Sequence, residues 1–174
     1  MFWRKKKKKQ KEHTCSKCGK VHEKWPALVF DSPNHYDPTA TVKSTLTEDF
    51  CVIYHDTVTN YFIRVVLKQK IIDHDHFLEY GVWVSLSEKS FKNYYENFNN
   101  TNHETGYFGW FCNEFPGYES MLRIPVNVIT KTGNERPEIF PHDDCEHQFV
   151  KDFYHGITKA EADNRIHAMY DALK

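Results

Sequence analysis

The sequence predicts an α+β domain on a mostly antiparallel sheet, with one central helix, two C-terminal helices and an N-terminal C-x-x-C turn. Three observations carry this expectation. The elements run strands, helix, strands, helices, with no regular βαβ alternation. The strand segments are rich in β-branched and aromatic residues, and aromatics make up 16% of the chain. Apolar residues fall at helical spacing after Ser87, after Asp144 and after Thr158.

Each element has its own signal. "WPALVF" at residues 25–30 reads as a short strand, and Pro33 and Pro38 make the following "DSPNHYDP" a loop. Residues 49–55 and 60–69 read as two strands joined by a polar hairpin link. Residues 77–87 form a third strand, with Val82, Val84 and Leu86 on one face and Trp83 and Ser85 on the other. Ser87 caps a helix running to about Phe98, and Glu88 suits its first turn. Its stripe of Phe91, Tyr94, Tyr95 and Phe98 reads as core packing.

Residues 107–115 and 121–130 read as an antiparallel pair around the Pro116–Gly117 turn. Pro125 cannot donate to a ladder, so an edge position or a bulge is expected there. "ERPEIF" supplies a last short strand. A helix over 144–154, with Phe149, Phe153 and Tyr154 on related faces, ends at Gly156. Thr158 caps the final helix with Glu161 three residues on, and Ile166, Met169, Tyr170 and Leu173 are its expected apolar stripe.

The 174 residues suit one domain, 40% hydrophobic and 27% charged. The first 24 residues hold ten of the 23 Lys and Arg and two of the 24 Asp and Glu, so they carry +8 and the rest −9. Residues 1–12, with five consecutive lysines, read as a disordered basic arm before a single domain over 13–174. No apolar stretch follows the lysines as in a signal peptide, and no run has the ~20 apolar residues of a membrane helix. Five scattered cysteines then imply a reducing cytoplasm without structural disulfides.

The sharpest chemical signal is "HTCSKCGKVHE" at residues 13–23. Two cysteines two residues apart can aim both sulfurs at one ion, and the glycine allows a tight return. Cys15, Cys18 and His22 supply three candidate zinc ligands, in a knuckle-like turn over 13–24. Cys112 is the first choice for the fourth and Cys51 the second, with His13 or water as local alternatives. A redox pair would need the motif to open a helix after a strand, and a plain turn with two free thiols is the remaining reading.

Other clusters read more plainly. "DHDHF" at 73–77 and "PHDDCEH" at 141–147 contain ligand-type residues but read as a polar turn and a helix N-terminus. Arg64, Trp83, Trp110, Asn113, Tyr118 and Arg136 form a candidate binding face, against the plainer reading that they pack the sheet and fix its turns.

The blocks "CSKCGKVHE", "FCVI", "YFIRVVL", "YGVWVSLSEKSF", "GYFGWFCNEFPGY", "ERPEIF" and "HGIT" stand in that order over residues 15–158. In this the chain resembles an uncharacterised, mainly bacterial family, the domain of unknown function numbered 2199. Val65 stands where that family usually has glycine, and Tyr80 where it commonly has tryptophan. The resemblance implies a shared fold and a shared metal turn; it implies no activity.

No phosphate-binding loop, dinucleotide fingerprint or nucleophile elbow is present. The first expectation is therefore a cytoplasmic zinc-binding interaction module for a protein or small-molecule partner, the zinc structural and no catalytic residue assigned. The alternatives are a zinc enzyme with an open coordination position, and a weak nucleic-acid binder acting through the lysine arm.

Overall fold

The computed structural model describes residues 13–14, 21–22, 25–72, 74–133 and 135–172. The expected arm over 1–12 lies outside them, as do Cys15 and Cys18. The elements run β1 (His13–Thr14), β2 (Val21–His22), β3 (Leu28–Val29), β4 (Ser44–Leu46), β5 (Phe50–Tyr54), β6 (Thr59–Gln69) and β7 (Leu78–Leu86). Then come α1 (Glu88–Glu96), β8 (Gly106–Phe111), β9 (Pro125–Ile129), β10 (Glu138–Pro141), α2 (Gln148–His155) and α3 (Lys159–Ala172). The α+β class holds, and one feature was not expected. The sheet closes on itself.

The long hairpin of β6 and β7 makes closure possible. Nine residues of each strand pair, from Tyr61 opposite Leu86 to Gln69 opposite Leu78. The free edge of β6 is then shared. Its first part pairs with β5, and further along Val66 meets Glu138 of β10 in parallel. The free edge of β7 is shared likewise, with β8 at residues 84–86 and β3 at residues 80–81. Strands β6, β7, β8, β9 and β10 thus form a closed ring, while β3, β4 and β5 are extra strands. Closure is made at one point, where the Val66 N–H donates to the Pro137 carbonyl at 2.8 Å, and the strands left at the edges of this sheet have two and three residues.

Period-two alternation fills the ring. Val65, Val82, Val84, Phe111, Val126, Val128 and Ile139 point inward and are fully buried. Phe149 of α2 packs on Phe111 with centroids 5.5 Å apart. The α1 stripe covers the extra strands: Phe50 touches Phe98 at 4.9 Å, Tyr95 at 5.0 Å and Phe91 at 5.8 Å. Ser87 caps α1, accepting from the Ser90 N–H at 3.2 Å. Gly109 lets β8 approach β7, because a Cβ there would lie 2.9 Å from the Ser85 carbonyl oxygen.

Several boundaries differ from expectation. Strand β8 ends at Phe111 rather than Phe115, because residues after Cys112 turn away to reach Pro116. Pro125 is neither at an edge strand nor in a bulge. It opens β9, which lies between β8 and β10, where the missing N–H costs no ladder bond. Helix α2 starts at Gln148, not Asp144, because the His147 ring accepts from the Phe149 N–H at 3.1 Å and caps it. The face α3 buries is Ala162, Asp163, Arg165 and Ile166, whereas Tyr170 is exposed. Asp163 accepts from the Trp25 indole at 3.1 Å. Arg165 pairs with Glu161 at 2.9 Å and Asp152 at 3.3 Å, and also bonds the Tyr118 hydroxyl.

The outer face of the sheet carries a second, smaller core of Cys51, Ile53, Phe62, Trp83 and Cys112. The segment between β3 and β4 covers it, contributing Phe30, Tyr36 and Val42. A clamp of buried polar groups holds this cover down. Arg64 donates to the Phe30 carbonyl at 2.8 Å and the Glu48 carbonyl at 3.2 Å. The Trp83 indole donates to the same Phe30 carbonyl at 2.9 Å. Asn113 accepts from the Trp83 N–H at 2.7 Å and donates to the Ser32 carbonyl at 3.0 Å.

Asn113 is fully buried, so its loss strands both partners without water. Asn113→Ala is expected to destabilise the fold by about 2 kcal/mol, read from urea denaturation. A change below about 0.5 kcal/mol would show that the cover is held by its apolar contacts alone.

Candidate functional site

Where the cover meets β8, the outer face is left open as a cleft of about 480 Å³. Phe62 and Cys112 form its apolar base. Asn60 of β6 and Ser85 of β7 bring an amide and a hydroxyl to it, and the exposed Trp110 ring of β8 is one wall. His35 comes from the cover. Its ring stacks on Phe62 at 5.7 Å and 27°, and the adjacent Asn34 N–H is fixed to the Cys112 carbonyl at 2.9 Å.

Arg123 completes the cleft from an unusual backbone position. Residues 121–124 form a tight turn closed by the Ile124 N–H to the Met121 carbonyl at 3.2 Å. Its third residue takes a positive φ, a conformation for which glycine or asparagine is the usual choice. Here that residue is Arg123, at φ 71°, the only non-glycine residue with positive φ among those described. Glu114 holds the turn, accepting from the Met121 N–H at 2.8 Å and the Ser120 hydroxyl at 2.7 Å. The Arg123 guanidinium is exposed and has no ion-pair partner among the described residues.

The electrostatics are simple. Burial first, and the Arg123 charge second, hold the His35 imidazole below its ordinary range, so it is neutral at pH 7. Burial pushes the Cys112 thiol up to about 11, although Ser85 opposes this by hydrogen bonding, and the Cys112 Sγ donates to the Trp110 carbonyl at 3.2 Å. Burial and then the neighbouring Cys112 raise the Cys51 thiol to about 11. Neither is a thiolate near neutrality, and among the described residues no hydrogen bond links His35 to Ser85 or Cys112. The cleft carries one positive charge, no carboxylate and no activated nucleophile.

A larger cleft of about 710 Å³ lies beside α1 and differs in kind. Its cations are already occupied. Arg136 pairs with Asp49 at 2.7 Å and Glu48 at 2.6 Å, while Lys68 and Lys131 share Glu138.

The six residues of the expected binding face are not brought together. Arg64, Trp83 and Asn113 are the interior clamp. Trp110 lines the cleft, Tyr118 donates to Asp152 at 2.5 Å beneath α3, and Arg136 lies at the larger cleft. His22 lies in β2, whose backbone pairs with β1, His13 opposite His22. Cys112 sits in the outer core with Cys51, its thiol donating to the Trp110 carbonyl. No group of three or more His, Cys, Asp or Glu suited to a metal occurs among the described residues. In "DHDHF" the His74 ring accepts from the His76 N–H at 3.1 Å, a polar turn. In "PHDDCEH" His147 is the α2 cap.

Sequence reasoning missed His35, Asn60, Ser85 and Arg123 as a group. They come from four separate segments, and none carried a local signal, because residue 123 falls within an expected strand and its turn is known only from the structure.

Among the described residues, a small closed barrel with extra strands, three helices and a cleft without a carboxylate in its lining define the class of protein. The chain belongs to the family described as "Uncharacterized protein conserved in bacteria (DUF2199)", whose model matches residues 14–157. No curated protein and no solved structure matches it. No helix among the described residues is long and apolar enough to cross a membrane.

Two outcomes follow from this geometry. Arg123→Gly removes the left-handed strain, about 1 kcal/mol, against a smaller cost from glycine's freedom in the unfolded chain, and is expected to leave the fold equally or slightly more stable in urea denaturation; a loss above about 1 kcal/mol would mean the guanidinium has a structural partner. A thiolate-directed reagent at pH 8 is expected to label Cys145 well before Cys51 and Cys112, read by peptide mass mapping. Equal labelling would show that the outer core opens readily.

Proposed function

We propose that the protein is a binding module whose ligand site is the cleft over Phe62, and that the ligand is small and anionic. One observation supports this above the others: a guanidinium with no ion-pair partner among the described residues stands at an apolar-based cleft that has no carboxylate in its lining. The lining carries a single positive charge, whose local field would attract an anion. Apolar surface with a few converging polar groups is the ordinary composition of a ligand pocket. The protonated thiols and neutral, unlinked His35 favour binding over catalysis.

The test is an NMR titration with acetate and inorganic phosphate. Shifts are expected at the Trp110 indole and at the backbone of His35 and Arg123. Arg123→Ala is expected to weaken the response at least tenfold, about 1.5 kcal/mol for a charge-assisted contact. Shifts confined to residues elsewhere would overturn the reading.

A structural zinc turn at Cys15, Cys18 and His22 is proposed beside it. Its support is the motif and the antiparallel pairing of His13–Thr14 with Val21–His22, which brings together the two ends of the cysteine segment. His13 or water takes the fourth position in this reading. Near-stoichiometric zinc in protein purified without a tag is expected by elemental mass spectrometry. It is expected to be lost, with stability, in a Cys15→Ser, Cys18→Ser variant. Metal-free wild-type protein would exclude it.

A further inference from the structure

We propose that the ligand of the Phe62 cleft is a carboxylate carried by a planar aromatic ring. This rests on the cleft's being a binding site and names what it takes. Three features of the cleft select that chemistry together.

The first is the charge count. Arg123 is the one cation in the lining, His35 is neutral at pH 7, and no carboxylate is in the lining; the nearby Glu114 is engaged by the Met121 N–H and the Ser120 hydroxyl. A site of charge +1 matches a monoanion. A phosphate dianion would leave a negative charge unmatched on a surface that is acidic overall.

The second is the shape of the donors. A guanidinium offers a planar fork of parallel N–H groups, which matches the two oxygens of a carboxylate. The turn over 121–124 fixes the backbone from which that fork extends. The amide of Asn60 has no side-chain partner among the described residues and can add one further hydrogen bond.

The third is the aromatic lining. Trp110 is 43% exposed although it sits on a strand, and the Phe108 ring meets it edge-on at 5.0 Å and 89°. The two rings thus meet edge to face, and the indole stays partly open to solvent. On the other side, His35 and Phe62 form a stacked pair. Phe62 is buried and already stacked with His35, so the exposed His35 ring and the Trp110 indole are the surfaces on which a planar ring would stack, in offset or edge-to-face geometry. The volume of about 480 Å³ lies toward the small end of ligand pockets, enough for a ring with its acid group.

The acid has two sources, a free aromatic acid or an aromatic residue at the C-terminus of a partner chain. The experiment separates them. The full-length protein is titrated by NMR with benzoate, benzamide, cyclohexanecarboxylate, inorganic phosphate, acetyl-Gly-Phe with a free carboxylate and its C-terminal amide. The variants are Arg123→Gly, which suits the turn, Arg123→Lys, and Trp110→Leu. Their folding is checked by thermal melts.

The expected result is that benzoate binds at least tenfold tighter than benzamide and cyclohexanecarboxylate. Arg123→Gly abolishes the difference from benzamide. Arg123→Lys weakens benzoate several-fold, because the fork is lost while the charge is kept, and Trp110→Leu removes the preference for the planar ring. Tighter binding of acetyl-Gly-Phe than of benzoate, lost in its amide, supports the proposal with a partner chain as the source. The reverse order supports it with a free acid as the source. If phosphate outcompetes benzoate, or cyclohexanecarboxylate equals it, this inference is overturned while the anion site stands. If no anion moves the cleft resonances, both fall.

Discussion

The clamp formed by Arg64, Trp83 and Asn113 on the carbonyls of Phe30 and Ser32 is the interaction on which the outer half of the molecule depends. A barrel wall has two faces, and the inner one is filled by the ring's own side chains. The outer face of β5, β6 and β7 would expose Phe62 and Trp83 to water unless something covered it. The segment between β3 and β4 does so with little secondary structure of its own, so its backbone needs partners. The clamp supplies them from the sheet. It also sets the position of His35, because Ser32 and Asn34 are both tied to the 112–113 backbone and side chain.

A second polar arrangement holds the opposite side. Arg165 reaches from α3 to Glu161, Asp152 and Tyr118, joining both C-terminal helices to the loop after β8. Burial and Asp152 push the Tyr118 hydroxyl above its ordinary range, while Arg165 opposes the shift. A buried ion pair of this kind contributes little net stability against an apolar replacement, but breaking it leaves a stranded charge. Its effect is to fix one orientation of α3, which an apolar face of Ala162 and Ile166 alone would leave loosely specified. The same loop passes through Glu114, whose carboxylate holds the Arg123 turn. Helix anchoring and the cleft therefore share one short stretch of chain.

The legible part of the fold was the part written in local periodicity. β5, β6, β7, α1 with its Ser87 cap, the Gly156 stop and the Thr158 cap all followed from spacing of two or 3.6 and from capping chemistry. The closure of the ring was not legible. It depends on one parallel bridge between Val66 and Glu138, and on two long strands each dividing an edge between two neighbours. No residue type marks such a division. The candidate binding face was misplaced for a related reason. Arginine, tryptophan and asparagine serve buried clamps as well as surfaces, and only the pairing of β6 with β7 shows that Arg64 and Trp83 face the cover.

Arg123 is where sequence and backbone conflict locally. Most of the chain agrees with itself, since turns carry Gly117 and Gly133 where φ is positive. At position 123 the backbone asks for glycine and the sequence supplies its bulkiest cation. Such a residue persists when its side chain does something that glycine cannot. Fold stability gives no reason for it, because the guanidinium holds no partner among the described residues. What remains is the cleft into which the turn delivers it, beside Trp110 and His35. The strain at 123 and the cation at the cleft are thus two sides of one arrangement, and removing the first removes the second.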